Sequence, residues 1–300
     1  MSADCTKAES DMASVTIPAA ISESTIARNA QIRMRKRKRF VLASQLGTFI
    51  FIIGSWQIMA DYKIIDPFFF GSPGGIVFRL YDWAQNGTAY GPLWLQVWVT
   101  LEEAILGFCL GVVTGIIFGV SLAEFPLLSD ILGPYIKAVN AMPRIVLGSI
   151  FVIWLGLGLP SKVVLAAVLV FFVVFFNAFE GVRSVDRNFI SNARILGASR
   201  LQVIRHVVFP SAMTWIIASL HVALGFSIIG AIVGEFLGAQ QGLGLVIATA
   251  QNNFDANGVF GAMLMIGIIA LGAEAIMGKV EKRLLKWRPR AASDQTSAGM

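Results

Sequence analysis

The sequence predicts an all-α membrane protein, a bundle of about six transmembrane helices carrying a pair of short helices on its cytoplasmic side. Three observations lead there. Of the 300 residues, 56% are hydrophobic and only 14% charged, too few polar side chains to cover a water-soluble surface. The apolar residues come in blocks of about 20, the length a helix needs to cross a hydrocarbon core of roughly 30 Å. The Lys and Arg residues behind the formal charge of +6 crowd into the N-terminus, one central segment and the C-terminus, an asymmetry that orients a membrane protein and does not call for nucleic acid.

Taken in order, residues 1–32 are rich in Ser, Ala and Thr with no helical stripe, and with the basic run Arg33–Arg39 they read as a mobile cytoplasmic tail, residues 1–39. The first span follows from about Phe40 to Met59; a long polar stretch precedes it, so it reads as an uncleaved span and not a signal peptide. Residues 61–92 form a loop with a short amphipathic piece around Ile76 to Trp83. The second span, about Val97 to Ala123, places glycines at 107, 111, 115 and 119 on one helix face, where a neighbouring helix can approach closely. Residues 129–158 form a third element that Pro134 and Pro143 should break or kink.

The fourth span, Val163 to Phe179, has Asn177 as its single strongly polar residue and inserts readily. Gly181 to His206 cannot span, because Arg183, Arg187, Arg194, Arg200 and Arg205 would each cost about 2.5–3.5 kcal/mol at the membrane centre. A fifth span covers about Ala212 to Val233, a Gly-rich connection Glu235 to Gly258, and a sixth span Val259 to about Met277. The spans therefore occupy residues 40–280, and 281–300 form a second tail. Of the 24 Lys and Arg residues only Lys63, Arg79 and Lys162 fall on loops opposite the tails, which places both termini and the Arg-rich loop, 183–210, in the cytoplasm of an inner-membrane protein.

Within that loop Asp186 is positioned as an N-cap, Gly197 as a C′ residue, and Ser199 with Gln202 as a capping box; two short helices meet at Gly197, and Pro210 closes the second. On pattern alone the pair either docks a soluble partner or lies on anionic lipid. The residues Ser191-Asn192-Ala193, three residues, Gly197, nine residues, Val207, one residue, Phe209-Pro210 resemble the cytoplasmic loop motif of ATP-binding-cassette importer permeases: E-A-A, three, G, nine, I, one, L-P. Ala193, Gly197 and Pro210 match; Ser191 stands where the motif has its carboxylate. The phrases GVRSVD, ARILGASRLQVIRHVVFPSA and LGAQQGLGLVI extend the likeness over roughly residues 70–280, most closely to permeases of the nitrate, sulfonate and taurine type.

The resemblance implies a homodimer, two ATPase subunits docked on the helix pair as a coupling element, and an extracytoplasmic binding protein that delivers a small solute, an anion such as a sulfonate, taurine or nitrate. It assigns the coupling contacts to Ser191, Asn192, Ala193, Arg194, Gly197, Ala198, Arg200 and Pro210. No G-x-x-x-x-G-K-S/T phosphate loop occurs, so ATP hydrolysis belongs to another chain and this one is not an enzyme. The two cysteines, Cys5 and Cys109, and the two histidines form no metal-ligand pattern, so no cofactor and no metal are expected.

Arg144, beside Pro143 near mid-depth of its element, either lines an anion pathway or snorkels. Glu102 and Glu103 are expected to sit solvated at the outer boundary of the second span. His221 and Glu274 suit a proton relay, with no acidic partner legible at a matching depth. Gly238, Gly242 and Gly244 permit tight turns or a gate on the outer side. The competing reading is an ion-coupled secondary transporter, which needs no Arg-rich helix pair and usually shows internal repeats that are not found here.

Overall fold

The computed structural model describes residues 19–284, the side chains of 19–31 and of Arg187 aside. These residues fall into two units, the first helix as far as Trp56 and the chain from Gln57 onward. The first helix, α1 (Ala19–Asp61), begins well inside the segment expected to lack helix. Ala, Ile, Glu, Gln and Arg are all good or adequate helix formers, and a helix needs no apolar stripe to continue into a span. The other expected tail residues, 1–18 and 285–300, lie outside the described residues.

In the second unit the chain passes through two short helices, α2 (Pro67–Phe70) and α3 (Pro73–Asn86). Each opens on a proline, whose missing N–H costs nothing at a helix start, and each has a side-chain cap, Asp66 on the Phe68 amide and Ser72 on the Gly75 amide.

The core is a stack of three long helices: α4 (Leu93–Glu124), α7 (Leu159–Arg183) and α10 (Phe209–Leu237). The glycine ladder of α4 sets the closest approach. A Cβ on Gly111 would lie 2.6 Å from the Ala167 carbonyl oxygen and 2.6 Å from Val170 Cβ, and one on Gly119 2.7 Å from the Phe175 carbonyl oxygen. At Ala166, which Gly107 of the ladder also approaches, a Cβ on Gly230 of α10 would lie 2.5 Å from the Cα. In lipid, where apolar side chains gain nothing by leaving the solvent, such close backbone packing is the main attraction available between helices.

Between α4 and α7 the chain forms α5 (Pro126–Asn140) and α6 (Arg144–Leu155), bent by 89° at the break. The break falls at Pro143, as expected; Pro134 interrupts nothing and stays inside α5. Among the described residues five helices are long and apolar enough to cross a membrane, six if the bent pair counts as one span.

After α7 come α8 (Arg187–Ile195) and α9 (Arg200–Val203), a π-helical turn (Ile204–Val208) and α10. Here the structure corrects the expectation for Pro210. It does not close the second short helix: Arg200 to Leu237 is one continuous helix. The wide turn lets the Phe209 amide bond to the Ile204 carbonyl, which accommodates the proline ring in the next turn, and Ser211 Oγ donates to the Val207 carbonyl at 2.7 Å.

The Gly-rich connection is also more ordered than expected. It contains α11 (Leu243–Asn252), followed by α12 (Ala256–Leu284), whose start is tied to α3 by the Ser72 amide donating to Asn257 Oδ1 at 2.9 Å.

Candidate functional site

The Arg-rich helix pair is built from local signals that act as predicted. Asp186 accepts from the Asn188 amide at 2.9 Å and starts α8. At the other end Gly197 adopts φ +85°, its amide bonds to the Arg194 carbonyl at 2.9 Å, and the Ala198 amide reaches back to Ala193 at 3.0 Å, the two bonds of a Schellman closure. The capping box forms: the Gln202 amide donates to Ser199 Oγ, and the Ser199 amide to Gln202 Oε1 at 2.8 Å.

One face of the pair is anchored. Ile190, Ala193, Ala198, Val203, Val207 and Val208 pack on Ala178 and Val182 of α7 and on Ala212 and Ile216 of α10. The other face is bare: Ile195 is 82% exposed, Leu196 87%, and Leu201 and Phe189 are exposed beside them. Ser191, Asn192, Arg194 and Gly197 lie on this open side. Exposed apolar side chains clustered on a charged element suit a contact surface.

Of the arginines expected there, Arg194 is exposed and makes no ion pair or hydrogen bond among the described residues. Arg200 is engaged: its Nη2 lies 3.9 Å from Glu124 Oε2 and its guanidinium sits 5.4 Å over the Phe125 ring, which joins the pair to the end of α4. Pro210, in the first turn of α10, is exposed on the same side of the chain.

Arg144 opens α6 directly after the bend. It donates to Asn140 Oδ1 at 3.1 Å and lies 5.5 Å over the Phe226 ring of α10, half-buried. A guanidinium against an aromatic face is stabilised without a carboxylate and keeps free N–H donors for an anion.

Three residues carry chemistry that the sequence reading missed. Glu103, expected to be solvated, is buried, and its Oε2 has no hydrogen-bond partner. Lys162, expected on a loop, is 1% exposed; its Nζ donates to the Leu157 carbonyl and, at 3.1 Å, to that of Gly158. Glu235 is 0% exposed, receiving Thr100 Oγ1 at 2.6 Å and the Gly244 amide at 2.6 Å. The signal was present in α4, because residues 96, 100 and 103 continue the face of the glycine ladder toward the N-terminus. A polar residue in phase with a packing ladder is buried with it.

His221 does have acidic partners at its depth. Nδ1 lies 2.6 Å from Glu274 Oε1 and Nε2 2.9 Å from Glu281 Oε2, two α12 residues two turns apart. The three bridge α10 to α12.

A family model described as "Binding-protein-dependent transport system inner membrane component" matches residues 111–286. A riboflavin transport system permease protein of Chloroflexus aurantiacus is 31% identical over 85% of this chain and 94% of its own length. A putative aliphatic sulfonates transport permease protein of Bacillus subtilis is 28% identical, covering 87% of this chain and 94% of that protein; the taurine transport system permease protein of Escherichia coli is 29% identical, covering 86% and 96%. Among solved structures, an inward-facing form of the MetNI methionine ABC transporter superposes with a TM-score of 0.57 at 19% identity, covering 64% of this chain and 96% of that one, a likeness of fold.

Proposed function

The chain belongs to the family of binding-protein-dependent transport system inner membrane components, and on that premise we propose how its named residues serve an ATP-binding-cassette importer. As a permease subunit it is a transport component and not an enzyme, working with ATP-hydrolysing subunits and a binding protein. Family membership also removes the ion-coupled carrier as a competing reading.

The docking surface for the ATPase is the bare side of the helix pair, with Ser191, Asn192, Ala193, Arg194, Gly197, Ala198, Arg200 and Pro210 forming or shaping it. The observation that carries this is the exposure of Ile195 and Leu196 on a pair whose opposite face is packed on α7 and α10. A partner that grips the pair moves those two helices as a body, and Arg200 brings the end of α4 along. ATP binding draws two such pairs together and opens the bundle outward; hydrolysis resets it inward.

Both termini and the helix pair face the cytoplasm, with residues 1–39 and 281–300 as tails of a permease domain spanning 40–280. Two copies of the chain form the pathway; α5, which buries no residue of its own, offers apolar surface for that partner. The solute is a small anion of the sulfonate, taurine or nitrate kind, and Arg144 lines its route, because its free N–H donors suit an oxyanion.

Purified complex in proteoliposomes tests the reading. Uptake should require internal or external ATP at the helix-pair side and survive collapse of ion gradients; uptake driven by an ion gradient without ATP would overturn it. In the same assay Arg144→Ala should lower anion uptake about tenfold, about 1.4 kcal/mol of lost interaction, while leaving ATP hydrolysis in place.

Gly197→Val supplies a second test. Nothing lies within 4 Å of a Cβ there, so the cost is backbone strain alone, about 1–2 kcal/mol. It should open the closure between α8 and α9 and uncouple hydrolysis from uptake without changing the melting temperature of the bundle; coupled transport at wild-type rate would contradict the docking role.

A further inference from the structure

The start of α11 is capped by side chains from two other helices. The Gly242 amide donates to Gln96 Oε1 at 2.7 Å, the Leu243 amide to Thr100 Oγ1 at 2.9 Å, and the Gly244 amide to Glu235 Oε2 at 2.6 Å. Thr100 Oγ1 in turn donates to Glu235 Oε1 at 2.6 Å. Gln96 and Thr100 belong to α4, Glu235 to α10, and all three are buried. The first amides of a helix have no partner within it and are usually capped by the residues just before them. Here the caps from α4 come from more than 140 residues away in sequence. The fit leaves no slack, since a Cβ on Gly242 would fall 2.2 Å from the Glu235 carboxyl carbon.

The same two helices reach the Arg-rich pair at their far ends. Glu124, the last residue of α4, faces Arg200, and α9, the π turn and α10 run on as one helix from Arg200 to Leu237, roughly 57 Å at 1.5 Å per residue. A displacement of the pair is therefore delivered along α4 and α10 to one place, the buried knot that holds α11. Hydrogen bonds between buried groups are costly to leave unmade, so α11 follows the two helices when they move together and is released when they part.

We propose that Gln96, Thr100 and Glu235 are positioning residues that transmit the state of the cytoplasmic helix pair to α11, which presents it to the binding protein on the outer side. This rests on the importer reading given above. Glu103 and Lys162 stand next to the knot: Glu103 Oε2 is buried without a partner while the Lys162 ammonium is held by the Leu157 and Gly158 carbonyls. Neither of them caps an amide of α11.

The test uses the complete importer in lipid nanodiscs, with Thr100→Val as the main variant because valine keeps the shape and removes only the hydroxyl. Thr100→Ser is the rescue, Glu235→Gln an independent second site, and Thr114→Val the control, since that hydroxyl bonds only to backbone within α4. Two quantities are read: hydrogen exchange of amides 242–246, and the ratio of binding-protein-stimulated to basal ATP hydrolysis. Thr100→Val and Glu235→Gln should speed exchange about tenfold, one hydrogen bond's worth of protection, and cut the ratio at least about fivefold at unchanged basal rate. Thr100→Ser and Thr114→Val should behave as wild type. Exchange that stays slow, or faster exchange with an intact ratio, overturns the proposal, as does an equal fall of basal and stimulated rates, which is what a merely structural role produces. A wild-type complex without stimulated hydrolysis would instead strike the importer reading itself.

Discussion

Leu196→Asp is expected to abolish ATP-driven uptake while the chain still folds and inserts. The side chain is 87% exposed, so its replacement removes no packing within the chain. What it changes is the covered state: an apolar contact worth about 1.5–3 kcal/mol is lost, and a carboxylate is buried without a partner in its place. Central apolar anchors of this kind typically cost 2 kcal/mol or more when truncated, so ATPase affinity should fall at least about thirtyfold. Ile195→Asp, at 82% exposure, should do the same. The check is paired: detergent-extracted variant runs at wild-type size, and ATP-driven uptake is lost. Retained uptake would mean that the exposed face is not where the ATPase grips.

The second large effect concerns the bundle itself. Gly111→Val should prevent stable accumulation of the chain, because the first added carbon would already lie 2.6 Å from both the Ala167 carbonyl oxygen and Val170 Cβ. Neither atom can give way without separating α4 from α7 along their length, so the cost exceeds the about 1–3 kcal/mol usual for overpacking a soluble core. Gly225→Ala is the matched control: it lies in α10, another long span, with nothing within 4 Å of the added carbon, and should be neutral or slightly stabilising. Thermal aggregation midpoints of the two variants in the same detergent decide the matter. Similar stability for both would show that the ladder does not set the helix approach.

The contrast between those glycines explains what was readable from the chain alone. The spans, the ladder at 107–119, the break at Pro143, the Asp186 cap, the Gly197 closure and the Ser199 capping box are local or periodic signals, and each forms where the pattern placed it. Signals that depend on a distant partner were lost. Pro210 reads as a helix stop, yet a π turn three-dimensionally absorbs it. Glu103, Lys162 and Glu235 read as solvated because they lie at the ends of apolar runs, yet all three are buried: Glu235 lies against the start of α11, formed from a stretch whose glycines pointed to a plain connection, and Lys162 against Gly234 of α10 and the Leu157 and Gly158 carbonyls. His221 found its carboxylates on α12 only once helix register fixed Glu274 and Glu281 on one face.

The position of Glu235 also shows why a glycine-rich stretch was hard to interpret. Gly242 is there because its φ of +115° and the nearby carboxylate both exclude a side chain, and Gly244 because a Cβ there would lie 2.5 Å from the Ile232 carbonyl oxygen and 2.8 Å from Glu235 Cβ. Two glycines that signalled looseness in the sequence mark one of the tightest places in the fold.

The most direct test of the central claim is site-specific photo-crosslinking from position 196 in intact membranes, with the complete importer expressed. A photoreactive side chain at Leu196 should join this chain to its ATP-hydrolysing subunit, identified by mass spectrometry, while the same probe at exposed Ile153 should not. A probe at 196 that captures only lipid, or that captures the ATPase no better than the probe at 153, would contradict the assignment of the helix pair as the coupling surface.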